Sequence, residues 1–325
     1  MGDSSKGTTL TKQSPKLGLP SRITSMDDKL CFVQFLHPGK EHKPDDGAHK
    51  VWNRRNHKRK FLRQGGKYIA DDRVQNGDLL FWGEWEPESI VEREIRDPIL
   101  RGPHFIYRPY YVVPKCYDGL QNTDPFVFGE NFFYTWCQQW TKKGPTQLRQ
   151  LSKGSVILFG SCEDNAFVVD VVFVVSNWID HTRANYNSVL AGIPQEYKEV
   201  TILPVYQEHS TQSESCALEG SQDGRLYFGA TYTEPVHGMY SFFPCCPYEK
   251  KSRGFARPRI SLTDRITNNQ NQGKNYGKKT GPPLNPGAIK QLWEKVAGQV
   301  REQGLAFGVY AKMPERRLTS GVPTF

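Results

Sequence analysis

The stretch SVILFGSCEDNAFVVDVVFVV, residues 155–175, decides how the chain folds. Two apolar runs, SVILFG and FVVDVVFVV, flank the polar connection SCEDNA, whose length suits a link between neighbouring antiparallel strands. Both runs are apolar at nearly every position instead of alternate ones, so both faces of this hairpin are expected to be covered and the core to be organised around it. Asp170 breaks the longer run. A buried carboxylate without a partner is costly, so Asp170 must pair with an arginine or backbone donors, or face a pocket.

Working outward, short runs of the same kind recur at residues 30–36 (LCFVQFL), 78–84 (DLLFWGE), 105–113 (FIYRPYYVV), 200–206 and 226–232, with Gly, Asn, Asp or Pro between most of them. One helix is well marked. Asn285 can cap it, Pro286 suits its first turn, Ile289, Leu292, Trp293, Val296 and Val300 share a face, and Gly304 can end it. LAFGVYAKM after it reads as a closing strand. Residues 210–224 and 265–281 read as loops.

Many short strands, few helices and no βαβ alternation give an α+β class: a mixed or antiparallel barrel-like sheet with a C-terminal amphipathic helix. The hexapeptides GDLLFW (77–82) and GSVILF (154–159) resemble the strand entries of small RNA-binding-type barrels of the PUA-like kind, a resemblance of fold alone. Residues 1–28, made of Ser, Thr, Lys, Gly and Pro, read as a flexible tail without a secretory signal. Residues 29–325 read as a single domain, with 145–153 the place where a subdivision would fall.

At 325 residues, with 37% hydrophobic and 12% aromatic residues, the chain can bury a sizeable core without staples. No apolar run approaches the roughly 20 residues of a membrane span. Seven cysteines, an odd number thinly spread and with no CxxC pair, are expected as reduced thiols in a cytoplasmic protein, and no structural zinc site is expected. The net charge of +9 favours a polyanionic partner. It is unevenly placed: residues 47–67 hold eight Lys and Arg and no acid, and residues 78–97 hold seven acids against Arg93 and Arg96.

The densest constellation lies at 37–63, where His37, His42, His49 and His57 mingle with Glu41, Asp45, Asp46, Trp52 and Asn53. In one reading Arg54, Arg55, Lys58, Arg59 and Lys60 contact phosphates while Trp52 stacks on a base. In a second, His37, His42 and His49 with Asp45 or Asp46 hold a divalent metal, although the spacings match no standard ligand pattern. In the bland reading Trp52 and Phe61 anchor a solvated loop.

Next comes FWGEWEPE at 81–88. Glu84 and Glu86, flanked by Trp82 and Trp85, are the best general acid or base candidates, with His57 as a partner, because desolvation raises a carboxylate pKa. An acidic rim paired to the basic loop is the plainer alternative. Asn122 and Asp124 precede a proline and suit a turn, or the reading of a base edge. Cys137 lacks a local histidine and reads as packing. Arg257 and Arg259, at extended spacing, suit phosphate contact or a solvated edge.

No GxxxxGK[ST], post-strand GxGxxG, GxSxG or HExxH occurs, which disfavours those enzyme classes. The reading is a nucleic-acid or nucleotide binding protein with no membrane partner, in which the basic loop 50–63 with Arg257 and Arg259 holds phosphates while Trp52, Trp82 or Trp85 stacks on a base. The alternatives are an enzyme acting on nucleotides through a His/Glu, metal-assisted site, such as a hydrolase, and an interaction scaffold. No particular cofactor follows from the residues.

Overall fold

The structure, a computed structural model, describes residues 29–36, 39–46, 58–112, 123–141, 144–206, 223–262, 274–276 and 284–317. The chain is mostly strand. In order these are β1 Phe32–Leu36, β2 Lys60–Ala70, β3 Arg73–Gly83, β4 Ser89–Glu94, β5 Phe105–Val112, β6 Phe133–Tyr134, β7 Trp140–Thr141 and β8 Gly144–Pro145. There follow β9 Val156–Glu163, β10 Ala166–His181, β11 Gly224–Gly229, β12 Phe243–Pro247, β13 Arg259–Ile260, β14 Lys274–Tyr276, β15 Ala306–Ala311 and β16 Glu315–Arg317.

Two mixed sheets and a two-stranded antiparallel ribbon, β7-β8, result. The first runs β14-β1-β9-β10-β11-β6 with β13 added on β10, and the second runs β15-β12-β3-β2-β5-β16 with β4 added on β5. A further pairing of β15 with β2 closes a cycle of hydrogen-bonded neighbours through β2, β3, β12 and β15. The pairs β1–β9, β2–β5 and β5–β16 are parallel.

The segment 155–175 forms the antiparallel hairpin β9–β10. Asp164 and Asn165 turn it in the left-handed region, at φ 46 and 64, and such turns match the twist of the strands they join. Its strands are covered on both faces: Ile157 and Phe159 enter the core between the sheets, whereas Val156 and Leu158 pack on the opposite side. Gly160 is required by close approach, since a Cβ there would lie 1.9 Å from the Val168 carbonyl oxygen.

Asp170 occupies a β-bulge, because Val169 pairs with Gly160 and Val171 with Phe159. The extra residue reverses the alternation of the strand. Phe167 and Val169 face the outer cluster of the first sheet, yet Val171, Phe173 and Val175 face the inter-sheet core.

That outer cluster lies beneath the helix Pro286–Glu302, which buries Ile289, Trp293, Val296, Ala297 and Val300. Asn285 caps it, its Oδ1 accepting the Ala288 N–H at 2.9 Å. A small third cluster, Phe61, Leu80, Trp82, Ile95 and Ile106, sits on the outer face of the second sheet.

Residues 200–206 depart from their β-like composition. Lys198–Ile202 is a π-helical turn and Leu203–Tyr206 an α-helical one. Long-range partners override local preference here: Thr201 Oγ1 donates to the Thr123 carbonyl at 2.7 Å, and Trp136 Nε1 donates to the Thr201 carbonyl at 3.1 Å. Likewise Lys274–Tyr276, inside a stretch that reads as loop, pairs with β1. The tail 1–28 and most of 210–224 lie outside the described residues. Among the described residues, no disulfide joins Cys31, Cys137, Cys162, Cys245 and Cys246 to one another. No helix among the described residues is long and apolar enough to cross a membrane.

Candidate functional site

The bulge aims Asp170 at a buried knot of charge where the ends of the two sheets meet. Arg59, just before β2, places Nε 2.8 Å from Asp170 Oδ2 and Nη1 2.9 Å from Glu84 Oε2. Burial opposes its charge, but the carboxylates of Glu84 and Asp170 outweigh that and hold the guanidinium protonated. Arg257, before β13, lies 3.5 Å from the same Asp170 oxygen, bonds Glu163 of β9 and donates to the Gly39 carbonyl at 3.1 Å. Its guanidinium also lies over the Trp82 ring, 5.8 Å from the centroid. The acids come from the bulge of β10, the end of β9 and the residue after β3, and the approaches to β2 and β13 supply the cations.

Asp124 lies within electrostatic reach of Glu84 and is wholly buried. Its oxygens accept the N–H groups of Thr135 and Cys137, each at 3.0 Å. Burial pushes this carboxyl up to about 7 against those donors, and the Glu84 charge adds to the rise. Neighbouring Cys137 is no activated thiolate, since burial, and then the Asp124 charge, raise its pKa well above the thiol norm. Beyond Thr135, His181 is held neutral: Nε2 lies 3.0 Å from Thr135 Oγ1, Nδ1 lies 2.8 Å from the Tyr206 hydroxyl, and burial lowers its pKa to about 3.

The second assembly is open to solvent. A cleft of ≈ 600 Å³ on the outer face of the second sheet is lined by Arg63 and Gly65 of β2, Asp78 of β3, Arg108 of β5, and Lys312, Met313 and Glu315. Strand alternation builds this face: Arg63, Gly65 and Lys67 point outward along β2, and Arg108 and Tyr110 along β5. Arg63 pairs with Asp78, Nε to Oδ2 at 3.0 Å, and with Glu92, which Arg108 also approaches at 3.3 Å. Three tyrosines carry cations: Arg63 lies 3.7 Å from the Tyr248 centroid, Lys67 5.3 Å from Tyr310, and Arg317 4.4 Å from Tyr110.

Of the residues singled out in the sequence, Glu84, Arg59, Asp124 and Arg257 come together at the buried knot, and Glu86 joins it through its charge on Arg59. Glu86 is anchored by its own N–H, which bonds Thr123 Oγ1 at 3.1 Å. Trp82 and Trp85 are core residues, with indole N–H groups donated to the carbonyls of Phe255 and Glu88 at 2.8 and 3.0 Å. Lys60 is buried and donates to the Pro87 carbonyl at 2.7 Å. Arg259 is exposed and faces Asp164 at 3.4 Å, so it does not join Arg257. Trp52, Asn53, Arg54, Arg55, His57 and Asn122, with His37 and His49, lie outside the described residues. His42 packs on Tyr107 and lies 3.7 Å from Asp46, and no three His, Cys, Asp or Glu among the described residues are grouped to hold a metal ion.

Sequence reading missed Arg108, Lys312, Tyr110 and Tyr310 as a group. The alternation within FIYRPYYVV was the available clue. No protein-family model, curated protein or solved structure matches the chain.

Proposed function

We propose that the chain is a nucleic-acid or nucleotide binding protein that grips phosphate on the outer face of its second sheet. The observation that carries this reading is the cleft in which Arg63, Arg108 and Lys312 converge. Its ≈ 600 Å³ falls within the range of about 300–1,000 Å³ typical of ligand sites. Arg63 is held by both Asp78 and Glu92, whereas Arg108 is paired at 3.3 Å to Glu92 alone and is half exposed, so Lys312, and Arg108 on exchanging that exposed ion pair, are the cations that meet an incoming anion. The cations of the buried knot are committed to carboxylates, which moves the phosphate grip from Arg59 and Arg257 to this face.

The cycle of pairings through β2, β3, β12 and β15 supports the finer, barrel-like and PUA-like reading of the fold. Seven cysteines, an odd number thinly spread over the chain, support a reducing, cytoplasmic setting. An enzymatic reading has one observation in its favour: Asp124 and Glu84 are neighbouring buried carboxyls in unlike settings, one among backbone donors and one on Arg59.

Titration of a labelled mixed-sequence oligonucleotide across salt concentrations tests the binding. The wild type is expected to weaken steeply with salt, with Arg108→Ala plus Lys312→Ala losing about two units of the log–log slope. A salt-independent affinity, or one unchanged in the double variant, overturns the reading.

A further inference from the structure

We infer that this outer face takes single-stranded nucleic acid, with bases against Tyr110 and Tyr310 and phosphates against Arg108 and Lys312. The inference rests on the binding function above and narrows it to one class of ligand. Lys67 and Tyr310 are directly paired across β2 and β15, so both side chains stand on one face of the sheet. Tyr110 follows Arg108 by two residues on β5 and therefore shares that strand's outward side. Its ring is held in place, because the hydroxyl donates to Glu88 Oε2 at 2.6 Å. Both tyrosines are partly exposed on this face, unlike the inward Tyr107 and Tyr111, which are 1% exposed.

The pattern is therefore rings and cations, with Asp78, Glu92 and Glu315 set among them, over a sheet surface that bears a recess. A single strand exposes the faces of its bases, and each base can stack on an aromatic ring or on a guanidinium lying over one. A duplex hides those faces. It is read by an element that projects into a groove, and the described face offers a cleft where such an element would protrude. A lone mononucleotide would use the cleft and leave Tyr310, on the far side of Lys67, without a role.

The test uses the full chain and fluorescence anisotropy with a labelled 12-nucleotide single strand, the same sequence as a duplex, and adenosine monophosphate as competitor. Tyr110→Leu and Tyr310→Leu retain apolar bulk on surface strands, and thermal melting verifies their folding. The expected result is at least tenfold tighter binding of the single strand than of the duplex. Each leucine variant should lose about 5- to 100-fold in affinity with its salt slope retained, and the monophosphate should compete weakly. Equal affinity for both forms, or unaffected leucine variants, overturns the single-strand inference while leaving phosphate binding intact. Binding of the monophosphate alone does the same. Binding of none of the probes at low salt removes the inference and the proposed function together.

Discussion

Replacing Arg59 with methionine keeps most of the side-chain stem and deletes a cation shared by Glu84 and Asp170. Arg59, Glu84 and Asp170 are 1%, 5% and 3% exposed, so solvent cannot take over the missing charge. Removing one partner of a buried ion pair costs about 3–5 kcal/mol. Here two carboxylates at 2.9 and 2.8 Å lose their partner at once, although Arg257 remains 3.5 Å from Asp170, so the upper end, about 5 kcal/mol, is expected. That is a large part of the ~5–15 kcal/mol that stabilises an ordinary domain. The triple variant Arg59→Met, Glu84→Gln, Asp170→Asn removes the charges together and should recover to within about 2 kcal/mol of wild type, since neutral groups of similar volume often replace a buried ionic set without loss. Urea unfolding followed by tryptophan fluorescence reads both numbers. A single variant that loses less than about 1 kcal/mol, or a triple no more stable than the single, would refute the electrostatic account of this knot.

Asp124 and His181 should pull stability in opposite directions with pH. A carboxyl raised to about 7 makes the folded state bind a proton that the unfolded chain releases near 3.8, so its stabilisation is complete below pH ~4 and lost as pH rises through 7. His181, lowered from 6.5 to about 3, contributes the reverse, stability that is lost as pH falls from 6.5 to 3. Asp124→Asn should therefore expose an acid-side loss, relative to wild type, of about 1.4 kcal/mol per pH unit between pH 4 and 6.5; identical pH–stability curves for variant and wild type would contradict it. Gly160→Ala should fail to fold or lose more than about 3 kcal/mol in thermal unfolding, because its Cβ would overlap the Val168 carbonyl oxygen at 1.9 Å. Asn285→Ala should cost about 1 kcal/mol by the same measurement through loss of the 2.9 Å cap to Ala288, and no change would show the cap to be idle.

What the sequence discloses depends on how local the cause is. The hairpin β9–β10 could be read because turn chemistry and two-sided apolarity lie within 21 adjacent residues. The signs from Asn285 to Gly304 coincide with the helix Pro286–Glu302 for the same reason. Strand β2 could not be read: KFLRQGGKYIA is basic and glycine-bearing, and Gly66 is there because the Tyr310 carbonyl would meet a Cβ at 2.3 Å, a constraint set 244 residues away. The oddity of Asp170, Glu84 and Asp124 was visible, but Arg59 and Arg257 belong to those carboxylates through contacts spanning more than a hundred residues for Asp170 with Arg59. Arg108 and Lys312 reach one cleft only because β2, β5 and the chain after β15 converge there.

The bulge at Asp170 also limits how this protein can drift. Valine and isoleucine can trade places along β10 at a cost of about 0.5–3 kcal/mol each, since polarity is kept and a single buried methylene is gained or lost. Strand register tolerates a change of length at one place alone: losing Asp170 would restore plain alternation and leave Val171, Phe173 and Val175 on the core face, whereas losing a residue beyond the bulge would transpose those that follow it to the opposite surface of the sheet. Lineages descending from this sequence should thus show substitutions throughout the strand and gaps within it at the bulge alone.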